Sequence, residues 1–389
     1  MTKKGKAMQH VSDHSSSGSN PHLADNSVVC LMAPTASGKT ALAYELYDTG
    51  RYELISVDSA LIYRDMNIGT AKPTADELAR YPHHLVDIID PVQSYSVAEF
   101  VRDVARLIER CHKSGKIPLL VGGTMMYYMA LLDGLSRVPD SDEGIREHVA
   151  QWQQDEGISA LHDYLRQVDP ISHQRLKPTD TQRITRAVEV YLQTTIPISE
   201  WQRQPKQALA HHPNQQWHAL AVMPDRAWLH ERIERRLDIM WNEGLVAEVI
   251  GLLERYPLTP DLPSMRCVGY RQVLEYLVHI NHPVFAQPHL DKARFYDAFT
   301  DLNAGVSTKT AQGQTSVDGK QTEGFACQQM QNKALYATRQ LAKRQYTWLR
   351  KLAQLSSQDA LNKTALDHDS NQIITHSFTT MTEVGHYLR

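Results

Sequence analysis

The chain has 389 residues, of which 42% are apolar and 22% charged, with a net charge of −3. That length supports two or three domains around a real core, and the near-neutral balance excludes a generic polyanion binder. Four widely spaced cysteines without a CxxC pair argue against a zinc site or a disulfide scaffold and fit a reducing compartment.

Residues 1–26 are polar, lack a signal-like apolar run and read as a disordered leader, with Met8 as a second candidate start. No apolar stretch approaches the roughly 18 residues of a membrane span, so a cytoplasmic protein is expected. Folding is expected to begin near Ser27: SVVCLMA is a short apolar strand, PTASGK a loop, and TALAYELYDTG a helix stopped by Gly50. ELISVD reads as a second buried strand. A helix is predicted over Val97–Lys113, ending at Ser114–Gly115, and IPLLVGG is the third strand. Strands alternating with helices indicate a parallel α/β sheet covered by helices. Between 140 and 204 strand-like runs give way to helical segments such as TQRITRAVEVYLQ, a helical insertion domain. WHALAVMP returns to the core as a strand, followed by a charged helix around RAWLHERIERRLDIMWNEG. The core would then comprise 27–139 and 205–355. Residues 303–331, rich in Thr, Gln, Gly and Ser, are expected to form a mobile insertion, and 356–389 a polar tail.

Ala33-Pro34-Thr35-Ala36-Ser37-Gly38-Lys39-Thr40 fits the P-loop pattern, with Ala at the first glycine position. A strand before and a helix after are the context such a loop needs. Its amides and the helix N-terminus can face phosphate oxygens, Lys39 adds a point charge, and the Thr40 hydroxyl can ligate Mg²⁺. ATP, GTP and prenyl pyrophosphates all present such a diphosphate. Asp58 lies at the carboxyl end of the second strand and Thr124 at that of the third, where ligands of parallel sheets sit. Asp58 can serve as a Mg²⁺ ligand or a general base, or merely cap a helix starting at Ser59. Gly122 and Gly123 permit either a tight turn or a close substrate approach.

PTASGKTALA, LISVDSALIYRDMNIGTAKP, PHHLVDIIDP, IPLLVGGTMMY, DTQRITRAVEV, DLPSMRCVGYRQ and ATRQLAKRQYTWLR occur in this order from Val28 to Leu349. In these blocks the chain resembles the bacterial tRNA dimethylallyltransferase (isopentenyltransferase, IPP transferase) family, whose fold is a P-loop NTPase-like sheet with a helical insertion. VDSALIYRDMNIGTAKP is the most specific block. Ala33, where the family usually has Gly, the leader and the 303–331 segment are departures. The resemblance implies transfer of a dimethylallyl group from dimethylallyl pyrophosphate to N6 of adenosine 37, beside the anticodon in tRNAs reading codons that begin with U. By the same analogy Asp58 is the base, Thr124 assists the leaving group, and Arg236 joins Lys39 and Thr40-bound Mg²⁺ in neutralising pyrophosphate.

The target base must be extruded from its stack. Ser59, Ala60 and Leu61, with Asp58 and Thr124, resemble the stretch that meets it. In the insertion, Arg146 and the block Gln182, Arg183, Ile184, Thr185 and Arg186 are implied contacts for the tRNA anticodon stem-loop. A second block comprises Arg266, Cys267, Val268, Gly269, Tyr270 and Arg271, mixing guanidinium with an aromatic ring. Each alone is equally well a surface ion-pair group. Arg339, Lys343, Arg344, Arg350 and Lys351 form an acid-free run that could track phosphates, whereas Trp348 and Leu349 read as packing. A monomer is expected. The rivals are a P-loop small-molecule or nucleoside kinase and a non-catalytic RNA-binding regulator with a relic P-loop.

Overall fold

The computed structural model describes residues 23–300, 319–355 and 373–389. In chain order, β1 (Ser27–Met32) leads to α1 (Lys39–Asp48), β2 (Tyr52–Val57), α2 (Ala75–Arg80) and the two-residue β3 (His83–His84). Next come α3 (Val97–Lys113), β4 (Ile117–Gly122) and α4 (Met125–Leu132). A helical excursion follows: α5 (Glu143–Val168), α6 (Pro170–Arg175), α7 (Thr181–Thr194) and α8 (Ile198–Arg203). The chain returns through β5 (Gln216–Val222) to α9 (Arg226–Glu243), α10 (Leu245–Arg255), α11 (Tyr270–His279) and α12 (Lys292–Thr300). It then forms α13 (Gly319–Leu352), β6 (Ile374–Phe378) and α14 (Met381–Leu388). No helix among the described residues is long and apolar enough to cross a membrane.

The strands form one sheet in the order β3-β2-β4-β1-β5-β6, and every pair is parallel. Central strands are buried on both faces, which is why they read as continuous apolar runs. Val28, Cys30 and Met32 face α3, α4 and the end of α13, while Val29 and Leu31 face α1 and α14. α3 begins in a capping box made by Ser96 and Glu99. The excursion has its own small core, with Val149, Leu161, Leu165, Ile184 and Val188 packed together. Gly157 (φ 80°) breaks α5 within it.

Two expectations need correction. Residues 373–389 are no polar tail: β6 pairs with β5 and α14 packs on α1. An edge strand is covered by one neighbour only, so ITHSF never shows the apolar run of a central strand. Within the expected mobile insertion at 303–331, α13 already runs from Gly319. Its buried Ala326, Met330 and Ala334 recur every fourth residue, a stripe hidden by the polar composition around it. The rest of that segment, and residues 1–22 of the leader, lie outside the described residues.

Candidate active site

One side of the site is built from the loop between β1 and α1. Gly38 precedes α1 in a left-handed conformation (φ 92°), and no side chain caps that helix. The first-turn amides therefore keep their donors for an anion, and no acid in that turn opposes it. Ala33 is fully buried and is not among the positive-φ positions, so an L side chain is tolerated there. Ala36, in contrast, takes φ 61°. The buried Ser37 hydroxyl has no hydrogen-bond partner, and Ser37 lines a separate pocket with Asp225, Trp228 and Arg232. Thr40 is exposed at the start of α1. Burial lowers the Lys39 ammonium to about 8; the negative charge of Asp58 pulls the other way and Arg236 adds to the lowering.

α9, capped by Asp225 through the Trp228 amide, supports this loop from the side. Arg236 donates from Nη1 to Thr35 Oγ1 at 3.4 Å, and burial holds its guanidinium below the usual arginine range. It therefore faces the site rather than belonging to a solvated basic face. One turn earlier, Arg232 donates from Nε to the Ala36 carbonyl at 2.7 Å. Arg235 points away and pairs with Glu231 at 2.7 Å.

Across the cleft stands Asp58. No helix starts at Ser59; the carboxylate Oδ1 instead accepts from the Ala60 amide at 2.9 Å and fixes a turn. The Thr124 Oγ1 accepts from the Ser59 amide at 3.0 Å, tying the ends of β2 and β4 together. Gly122 lets these strands approach: a Cβ there would lie 1.9 Å from the Val57 carbonyl oxygen. Thr35, Lys39, Asp58, Thr124 and Arg236 line one cleft of about 480 Å³. Its other wall contains Gly69 and Thr70, the stretch Pro263 and Arg266–Gly269, and Thr338, Leu341, Arg344 and Trp348 of α13. Met126 (56% exposed) and Trp348 (39%) leave apolar surface at this cleft. Burial, aided by the charge of Asp58, pushes the Cys267 thiol up to about 12, so it stays protonated.

A second cleft brings Arg146, Gln182 and Thr185 of the helical excursion together with Arg266 and Arg271. Arg266 lines both clefts and so joins them. Not every expected contact faces these spaces. Tyr270 is fully buried, donating to Glu248 at 2.5 Å, and Ile184 lies in the core of the excursion. Both sit on the apolar faces of their helices, which a list of residue types does not reveal. Arg183 pairs with Asp180 at 2.8 Å, and Arg186 is turned toward Ser141, Pro139 and Glu189. Leu61 is half-buried, its carbonyl accepting from the Asp87 amide at 3.1 Å. In the basic run, Arg339 pairs with Glu234 at 2.9 Å, Leu349 packs in the core, and Trp348 faces the cleft rather than packing with it.

The sequence reading missed Gln345. Its buried amide accepts from the Thr35 backbone N–H at 3.1 Å and donates to the Gly123 carbonyl at 2.8 Å, bridging the phosphate loop to the end of β4. A polar residue on a core-facing helical position was the available signal.

A family model described as IPP transferase matches residues 61–352. The chain belongs to the IPP transferase family. This family member is 70% identical, over the whole of both chains, to the tRNA dimethylallyltransferase of Psychrobacter cryohalolentis. It is 47% identical to the tRNA dimethylallyltransferase of Acinetobacter baumannii over 84% of this chain and 91% of that one. Among solved structures, the full-length tRNA isopentenylpyrophosphate transferase of Bacillus halodurans matches with a TM-score of 0.52 at 27% identity, covering 93% and 95% of the two chains. A eukaryotic dimethylallyltransferase acting on tRNA matches in fold, with a TM-score of 0.60 at 20% identity over 92% of this chain and 75% of that one.

Proposed function

We propose that this IPP transferase moves a dimethylallyl group from dimethylallyl pyrophosphate to N6 of an adenosine beside the anticodon of tRNA. The observation that carries the reading is one cleft with a diphosphate nest on one side and Asp58 on the other. Adenine N6 is a weak nucleophile because its lone pair is delocalised into the ring. As N6 attacks C1 of the donor, the C1–O bond breaks, its electron pair leaves with pyrophosphate, and Asp58 takes the N6 proton. Lys39, Arg236 and the first amides of α1 receive the charge that grows on the leaving group. Thr124, fixed through the Ser59 amide, holds the base-side turn at a set distance from the nest. The exposed faces of Met126 and Trp348 offer apolar surface to the prenyl group or the extruded base. Arg266, Arg271, Arg146 and Gln182 line the approach that an anticodon stem-loop would follow.

The residues present also fit a Mg²⁺ ion. No cluster of three or more acidic, His or Cys ligands occurs among the described residues, so a dedicated protein cage is absent there. Mg²⁺ favours one or two protein oxygens plus substrate phosphates and water, and the exposed Thr40 hydroxyl at the start of α1 would supply one such oxygen. Bound there, the ion would neutralise pyrophosphate charge. Incubation with dimethylallyl pyrophosphate and unmodified tRNA, followed by nucleoside mass spectrometry, should show prenylated adenosine and tRNA-dependent pyrophosphate release. Release of ADP from ATP without tRNA would instead restore the kinase reading.

A further inference from the structure

Glu248, on α10, has no place in the chemistry above, yet its carboxylate collects four hydrogen bonds from two separate segments. Oε2 accepts from the amides of Asn67 (2.9 Å) and Ile68 (2.7 Å), and Oε1 from the amide of Gly69 (3.2 Å). Oε1 also accepts from the Tyr270 hydroxyl at 2.5 Å. Three consecutive backbone amides converging on one carboxylate form a nest with the anion supplied by the protein itself. An acid on the solvated face of an amphipathic helix does not gather donors in this way.

Both segments belong to the same wall of the cleft: Gly69 and Thr70 supply one part of it, and Arg266–Gly269, immediately before Tyr270, the adjoining part. They meet tightly, because a Cβ on Gly69 would come within 2.5 Å of the Tyr270 ring. The far end of the first segment is pinned independently by Lys72, which donates to the Tyr63 carbonyl at 2.6 Å. The phosphate loop takes no part in this network.

We propose that Glu248 is a positioning residue for the acceptor: it locks together the two segments of the wall that the adenosine meets as it enters the cleft. The assignment rests on the tRNA-prenylation reading. An extruded base lacks the covalent tether of a side chain, so it depends on a wall whose shape is set in advance.

Glu248→Gln keeps the shape but replaces one accepting oxygen with an NH₂ group, so at least one amide of 67–69 loses its partner. With the donor saturating, kcat/KM for tRNA should fall about tenfold or more. The affinity for dimethylallyl pyrophosphate should stay within about twofold, and hydrogen exchange should accelerate at residues 67–69 but not at 35–39. Tyr270→Phe removes one donor while keeping the ring against Gly69, and should cost about threefold in the same ratio. The proposal is overturned by a tRNA kcat/KM within twofold of the parent, by an equal loss of donor affinity, or by unaltered exchange at 67–69. A parent enzyme inert toward tRNA sinks the functional reading instead, and the exchange measurement still judges the clamp by itself.

Discussion

The two sides of the cleft are made in different ways. In the proposed reading the donor side is mainly one continuous stretch, Ala33–Thr40, held between a buried strand and a helix start. The acceptor side is assembled from Asp58–Ala60, Gly69–Thr70, Arg266–Gly269 and part of α13, brought together from across the chain. Gripping a diphosphate needs only successive amides and a cation, which a short segment can supply. Receiving a base turned out of its stack needs facing walls, which only tertiary structure can provide.

Each of the following measurements tests that division. Asp58→Asn should produce the largest loss, with the alkylation rate falling about 10²-fold or more while donor binding persists. A rate near that of the parent would remove Asp58 from the chemistry. Arg236→Gln should come next, lowering kcat by about 10- to 100-fold through the leaving group, with tRNA affinity unchanged by gel shift. A loss of tRNA affinity instead would place this arginine on the acceptor side. A smaller effect should follow pH. Lys39 is cationic below about 8 and loses its charge above it, so donor affinity should be level up to that pH and fall about tenfold by pH 9 or beyond. Lys39→Arg should flatten that profile.

The mildest test concerns the support behind the donor side and leaves the rate at pH 7 alone. His218 in β5 is held neutral by burial, down to about 4, with His376 of β6 adding to the lowering. The unfolded chain takes up that proton at its ordinary value, near 6.5, so it binds more protons than the folded chain between about 6.5 and 4. Stability should therefore fall as pH drops through this window, by about 2 kcal/mol between pH 7 and 5. Thermal melts at the two pH values should converge in His218→Asn.

The sequence revealed the donor side because its signals are local. The strand–loop–helix pattern placed Lys39, the β4 run placed Thr124, and the helix expected at about Val97–Lys113 is α3. Asp58 was legible from its position at a strand end. Gln345 was not, because the amide it serves lies 310 residues away in sequence. Glu248 was invisible for the same reason, its partners being backbone groups that carry no residue signature. Tyr270 shows the opposite error: an aromatic beside arginines has the composition of an RNA contact, yet its position in α11 turns it inward. Residue type proposes a contact, but helical phase decides which way the side chain points.

The order of the strands also constrains how the protein is made. β1 leaves the ribosome early but lies between β4 and β5, so one of its neighbours begins only at Gln216. β6, which completes the edge beyond β5, comes after residue 373. A nascent chain that stops after the helical excursion therefore carries the phosphate-loop sequence with β1 paired on its β4 side only. During that interval the edge of β1 that β5 later covers has no strand partner, an apolar edge of the kind that favours misassociation.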